Sequence, residues 1–102
     1  MATLDNFPAV YGGDNVPVSS WAFDGLPLDG VTVVIKFSYQ GQSYHTGTDG
    51  SGLTVDLDTN TIFLTPFAAP STNRNTRMAY DLKLDGTTYF YGYVPLLKDL
   101  AQ

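Results

Sequence analysis

The chain predicts an all-β domain, a sandwich of about seven short antiparallel strands, and three observations make the case. Val33, Ile35, Phe37 and Tyr39 fall on one side of the segment Val31 to Tyr39, while Thr32, Lys36 and Ser38 fall on the other and Val34 is the exception. This is the two-residue period of a half-buried strand. Met78 to Leu84 and Thr87 to Val94 alternate in the same way and are joined by Asp85-Gly86, a dipeptide that tolerates the positive φ of a tight hairpin turn. Finally, all ten acidic side chains are Asp and none is Glu. Asp disfavours helix interiors and favours turns and caps.

The elements follow in order. Met1 to Val10 mixes Phe7, Pro8 and Val10 with polar groups and has no clean period, so residues 1–10 read as an arm or a loosely attached first strand. Tyr11-Gly12-Gly13-Asp14 is a turn. Asn15 to Phe23 is a strand in which Val16, Val18, Ser20 and Ala22 share one face and Ser19, Trp21 and Phe23 the other; either face can be the core, and Pro17 confines the strand to an edge or an early position. Asp24 to Gly30 is a loop with two Asp-Gly pairs. After Val31 to Tyr39 come a return strand at Gln42 to Thr46 and a wide glycine-rich turn at Gly47 to Gly52. Leu53 to Val55 and Thr61 to Leu64 can pair as a hairpin. Thr65 to Thr76 is the longest stretch without pattern, and a loop of that length usually binds something or moves. The sandwich then spans 11–94, and 95–102 is a tail that forms one helical turn or lies extended.

At 102 residues the chain is one domain, and a domain of this size buries only roughly 60–70% of its unfolded surface. With 43% hydrophobic and 15% charged residues it can still assemble a core. There is no cysteine, which excludes disulfides and thiolate metal clusters. The net charge of −5, with five scattered basic residues, argues against nucleic acid and anionic membrane as partners. No basic segment followed by an apolar run opens the chain and no apolar stretch approaches membrane length, so neither a secretion signal nor a span is expected.

Candidate chemistry is sparse. Asp56-Leu57-Asp58-Thr59-Asn60 matches the first half of a calcium loop, but Thr61 stands where that loop needs Gly and no Glu closes it. The segment reads as a hairpin turn whose side chains bond local backbone. His45 is the only histidine and Ser43 lies two residues away, but nothing around Ser43 resembles a nucleophile turn, so His45 is expected to face solvent. No metal, no cofactor and no enzymatic activity are expected. Tyr89, Tyr91 and Tyr93 share one strand face. They either form a displayed aromatic row that contacts a protein or sugar rings, or they are themselves core. Arg74 and Arg77 would be polar anchors beside a displayed row, or solvated loop charges.

Gly13-Asp14-Asn15-Val16-Pro17, Gly25 to Val33, Asp49-Gly50-Ser51-Gly52-Leu53-Thr54-Val55 and Met78-Ala79-Tyr80-Asp81-Leu82-Lys83-Leu84-Asp85-Gly86 together resemble small immunoglobulin-like proteins of tailed bacteriophages, and in particular the immunoglobulin-like domain of phage baseplate upper proteins. Two departures stand out: Asp29-Gly30 replaces a three-residue loop end, and Ser71 to Arg77 is polar where a short glycine turn is common. The resemblance implies an immunoglobulin-like sandwich with a non-enzymatic structural role in the virion, made in the host cytoplasm. Its partners would be other virion proteins or further copies of itself. Phe7 and Val10 at one end and Leu96, Leu97 and Leu100 at the other would be assembly arms that order on neighbours. The rival expectation is a module that binds carbohydrate for host attachment.

Overall fold

A computed structural model of the chain describes residues 2–98; Leu100, expected in an assembly arm, lies outside them. The described residues form eleven strands and no helix: β1 (Thr3–Leu4), β2 (Val10–Tyr11), β3 (Asn15–Val16), β4 (Ser19–Ala22), β5 (Val33–Tyr39), β6 (Gln42–Asp49), β7 (Gly52–Asp56), β8 (Thr61–Leu64), β9 (Phe67–Ala68), β10 (Thr76–Leu84) and β11 (Thr87–Leu97). Nine of them make one continuous sheet in the order β1-β11-β10-β5-β6-β7-β8-β4, with β2 also on β11, while β3 and β9 pair as a separate ribbon. The sheet curls until its far ends meet, so that Trp21 on β4 lies 6.2 Å from Tyr80 on β10.

The alternation read from the sequence decides which side chains enter the core. Val33, Ile35 and Phe37 of β5 are buried, as are Met78, Tyr80, Leu82 and Leu84 of β10. Both flanking hairpins use tight turns with positive φ at consecutive residues, Gln40-Gly41 (54° and 78°) and Asp85-Gly86 (49° and 83°). That is the backbone hand that matches strand twist. In the centre Phe7 meets Tyr80 edge-on at 4.9 Å, and Phe37 stacks on Tyr80 at 5.7 Å.

Pro17 splits the expected strand over Asn15 to Phe23. Before it, Val16 pairs with Phe67 in the ribbon and is fully buried; after it, β4 pairs with β8 and buries Trp21, while Val18 between them is exposed. The core-facing parity therefore changes at the proline, which supplies no ladder donor and marks the switch of sheets.

Three pairings are parallel: β1 with β11, β2 with β11, and β6 with β7. The expectation of about seven antiparallel strands gives way to this mixed arrangement: β1 and β2 add to β11 in parallel, and β6 meets β7 in parallel across the tight turn at Gly50-Ser51.

The arms are corrected by burial. Phe7 and Val10 lie in the core, Leu96 is fully buried, and Leu97 is half-buried. β11 runs through Pro95 to Leu97 and takes β2 alongside, Leu96 opposite Val10. The proline removes one donor without ending the strand, since the next side chain fills the core. Residues 5–7 are tied down as firmly. The amides of Asp5 and Phe7 donate to the carbonyls of Tyr91 and Tyr93 at 2.8 and 2.9 Å, the Asp5 carboxylate accepts from the Trp21 indole at 3.1 Å, and the Asp5 carbonyl accepts from the Tyr80 hydroxyl. Burial, helped by the Asp5 charge, pushes the Tyr80 phenol above its ordinary value of 10.0.

Candidate functional site

On β10 the even-numbered side chains enter the core, so Arg77, Ala79, Asp81 and Lys83 point outward. The register sets Asp81 opposite Lys36 of β5 on one side and Tyr91 of β11 on the other. Ala79 lies between Ser38 and Tyr93, and Lys83 opposite Val34. Leu4 of β1 pairs with Tyr91 and extends the same face. Adjacent strands of the sheet thus carry an outward face of Leu4, Tyr91, Tyr93, Arg77, Lys36 and Lys83.

The Arg77 guanidinium carbon sits 4.0 Å above the Tyr93 ring centre. That cation–π contact holds a flexible side chain over an aromatic anchor. Tyr91 is 44% exposed, Tyr93 37% and Leu4 55%, a concentration of Tyr, Arg and aliphatic surface of the kind that fills protein interfaces. At the centre, Oδ1 of Asp81 is enclosed and has no hydrogen-bond partner.

The face gathers only part of what the sequence put together. Tyr91, Tyr93 and Arg77 come together; Tyr89 and Arg74 do not join them. Leu82 pairs with Phe90 and Lys83 with Thr88, so Tyr89 is the extra residue of a β-bulge, and bulges re-aim side chains. Tyr89 turns inward and meets Phe23 edge-on at 6.1 Å, which breaks the three-tyrosine row. Arg74 instead lines a polar groove of about 410 Å³ with Tyr39, Gln40, Ser71, Thr72 and Asn73. Nor is Thr65 to Thr76 a free loop. It contains β9, buries Ala69 and Thr72, and presses its Thr72 amide so close to Gly12 that a Cβ there would lie 2.8 Å from the nitrogen.

His45 and Ser43 are separated by a second bulge. Phe37 pairs with His45 but Ser38 with Ser43, so Tyr44 is the extra residue and the two side chains take opposite faces. His45 is not solvent-facing: its ring stacks on Phe67 at 3.9 Å with an 11° tilt, and its Nε2 is enclosed without a partner. Burial lowers its pKa below 6.5. Tyr44 donates to the Ala68 carbonyl at 2.8 Å, so two consecutive residues of β6 clamp the ribbon. In the aspartate-rich turn, Asp56 Oδ1 accepts from the amides of Asp58 and Thr59 at 3.0 and 3.4 Å. The Asn60 side chain accepts from the Leu28 amide and donates to the carbonyls of Phe23 and Leu26. These carboxylate and amide groups serve the backbone.

Lys36 was not singled out in the sequence as a face residue, although its place in the alternation beside Phe37 marks it as outward. Leu4 carried no such signal, because β1 is ordered by its parallel pairing with a strand almost ninety residues away. Compared with family models, with curated proteins and with solved structures, the chain matches none of them.

Proposed function

We propose that this chain is a non-enzymatic immunoglobulin-like module of a tailed-bacteriophage virion that works by docking another protein on the outer face of β11, β10 and β5. The observation that carries the docking reading is Arg77 held over Tyr93 beside exposed Tyr91, on strands whose opposite face is core. Aromatic and arginine anchors on a rigid support lose little conformational freedom on binding. The order β4-β8-β7 followed by β6-β5-β10-β11, with β1 and β2 added parallel to β11, is consistent with an immunoglobulin-like sandwich. The virion setting rests on the sequence resemblance alone.

The test is incorporation into purified particles, measured by quantitative mass spectrometry. A Tyr91→Ala/Arg77→Ala chain that keeps its melting temperature should be depleted at least tenfold; undiminished incorporation would overturn the reading.

One observation favours the carbohydrate reading: the groove between Tyr39 and Ser71 to Arg74 combines an aromatic wall with amide, hydroxyl and guanidinium groups, the mixture that binds polar rings. Glycan-array binding lost in Arg74→Ala but kept in Arg77→Ala would favour it over protein docking.

A further inference from the structure

The charges of this chain are segregated. Lys36, Arg77 and Lys83 share the outer face with Asp81 alone, which gives that face +2. Since the whole chain carries −5, everything else carries −7. Three of the five cations therefore lie around the two exposed tyrosines, on a molecule whose remaining surface is acidic.

A second hollow, of about 430 Å³, has the complementary chemistry. Phe23, Leu26, Pro27 and Leu57 supply an apolar lining, and Asp24 stands among them. Leu57 is 54% exposed. Asp58, next along the chain from Leu57, is also exposed and places a second carboxylate one residue from that lining. The hollow shares no residue with the tyrosine face.

We propose that the occupant of the tyrosine face is a second copy of this chain, which presents its acidic-rimmed hollow head to tail; this rests on the docking reading above and names its partner. Tyr91 and Tyr93 would enter apolar surroundings lined by Leu57 and Leu26, with Lys36 and Lys83 opposite Asp24 and Asp58. Opposite charge around an apolar centre steers encounter and fixes register. Because the two patches differ, the contact is heterologous, and it propagates into a ring or a filament instead of stopping at a two-fold dimer.

Sedimentation of the full-length chain over a range of concentration and salt tests this. Association should grow with concentration and weaken at least fivefold between 50 mM and 500 mM salt, as charge screening requires. Lys36→Glu/Lys83→Glu should be monomeric, as should Asp24→Lys/Asp58→Lys. Mixed in equal amounts, the native face of one variant meets the native hollow of the other, and the remaining contact is restored with both charges reversed, so the mixture should associate again, the two variants alternating. Should a reversed variant lose its wild-type near-ultraviolet circular dichroism, the milder pair Lys36→Ser/Lys83→Ser and Asp24→Ser/Asp58→Ser, each expected to weaken association at least tenfold, replaces it.

A wild-type chain that stays monomeric at millimolar concentration in low salt overturns the proposal, as does a mixture that never associates. If the wild type is monomeric while the Tyr91→Ala/Arg77→Ala chain is still lost from particles, self-association falls and docking to a different protein stands.

Discussion

A methyl group on Gly92 would stand 2.6 Å from the carbonyl oxygen of Asp5. The same position would lie 2.7 Å from Oδ1 of Asn6, the atom that accepts the Tyr93 amide at 2.9 Å. Residues 5 and 6 thus cross the inner side of β11 where the strand has no side chain. Gly92→Ala should push that segment off, with a loss of roughly 1–3 kcal/mol typical of overpacking. Thermal unfolding would measure the loss, and faster hydrogen exchange at the Asp5 and Phe7 amides would locate it. Unchanged exchange at those two amides would show that the crossing is not as tight as described.

Leu96 is fully buried, so Leu96→Ala should cost about 2–5 kcal/mol, as for other leucines truncated in a core. Deleting Pro95 to Gln102 removes that side chain together with the pairing of β2 and should leave no cooperative unfolding transition at 37 °C. A truncated chain that melts like the full one would restore the idea of a detachable tail.

Burial lowers the His45 pKa below its ordinary 6.5, so the unfolded chain takes up this proton more readily than the folded one. The stability associated with His45 is complete above pH 6.5, falls as pH drops below 6.5 toward the lowered native value, and levels off beneath it. Protonation puts a charge and a new donor at an enclosed Nε2 whose neighbours Phe37, Phe67 and Gly52 are not titratable. In denaturant titrations between pH 7.5 and 5, His45→Phe should lack the slope of the wild type. Parallel slopes in the two proteins would assign the effect to another group.

Arg77 lies over an exposed ring, where a cation–π contact contributes roughly 0.5–1 kcal/mol. Arg77→Ala should therefore lower stability by no more than about 1 kcal/mol while weakening docking far more. A melting temperature that collapsed in this variant would make the contact structural and remove it from the binding face.

The parts legible in the sequence were those governed by local periodicity. Val33 to Tyr39 and Met78 to Leu84 announced their buried faces by alternation, and Asp85-Gly86 announced its turn. What escaped was decided by single-residue insertions and by contacts distant in sequence. The bulges at Tyr44 and Tyr89 each reverse the parity of everything beyond them. They parted Ser43 from His45 and took Tyr89 out of the row, and nothing local marks either one. Phe7 and Val10 looked unattached because the backbone they pair with, at Tyr93 and Leu96, belongs to the far end of the chain. One signal did exist: a glycine inside the strong alternation of Tyr91-Gly92-Tyr93 points to close backbone approach, and residues 5–6 are what approaches.

The parallel seating of β1 and β2 against β11 dictates when this protein can fold. The first strands cannot lock until residues 91–97 have cleared the ribosome, so Phe7 goes without its partners on β10 and β11 until those strands have been made. Closure over such separations is slow, on the order of milliseconds to seconds for β domains. A nascent chain stalled before Tyr91 would thus present chaperones and proteases with the aromatic residues that the finished molecule hides.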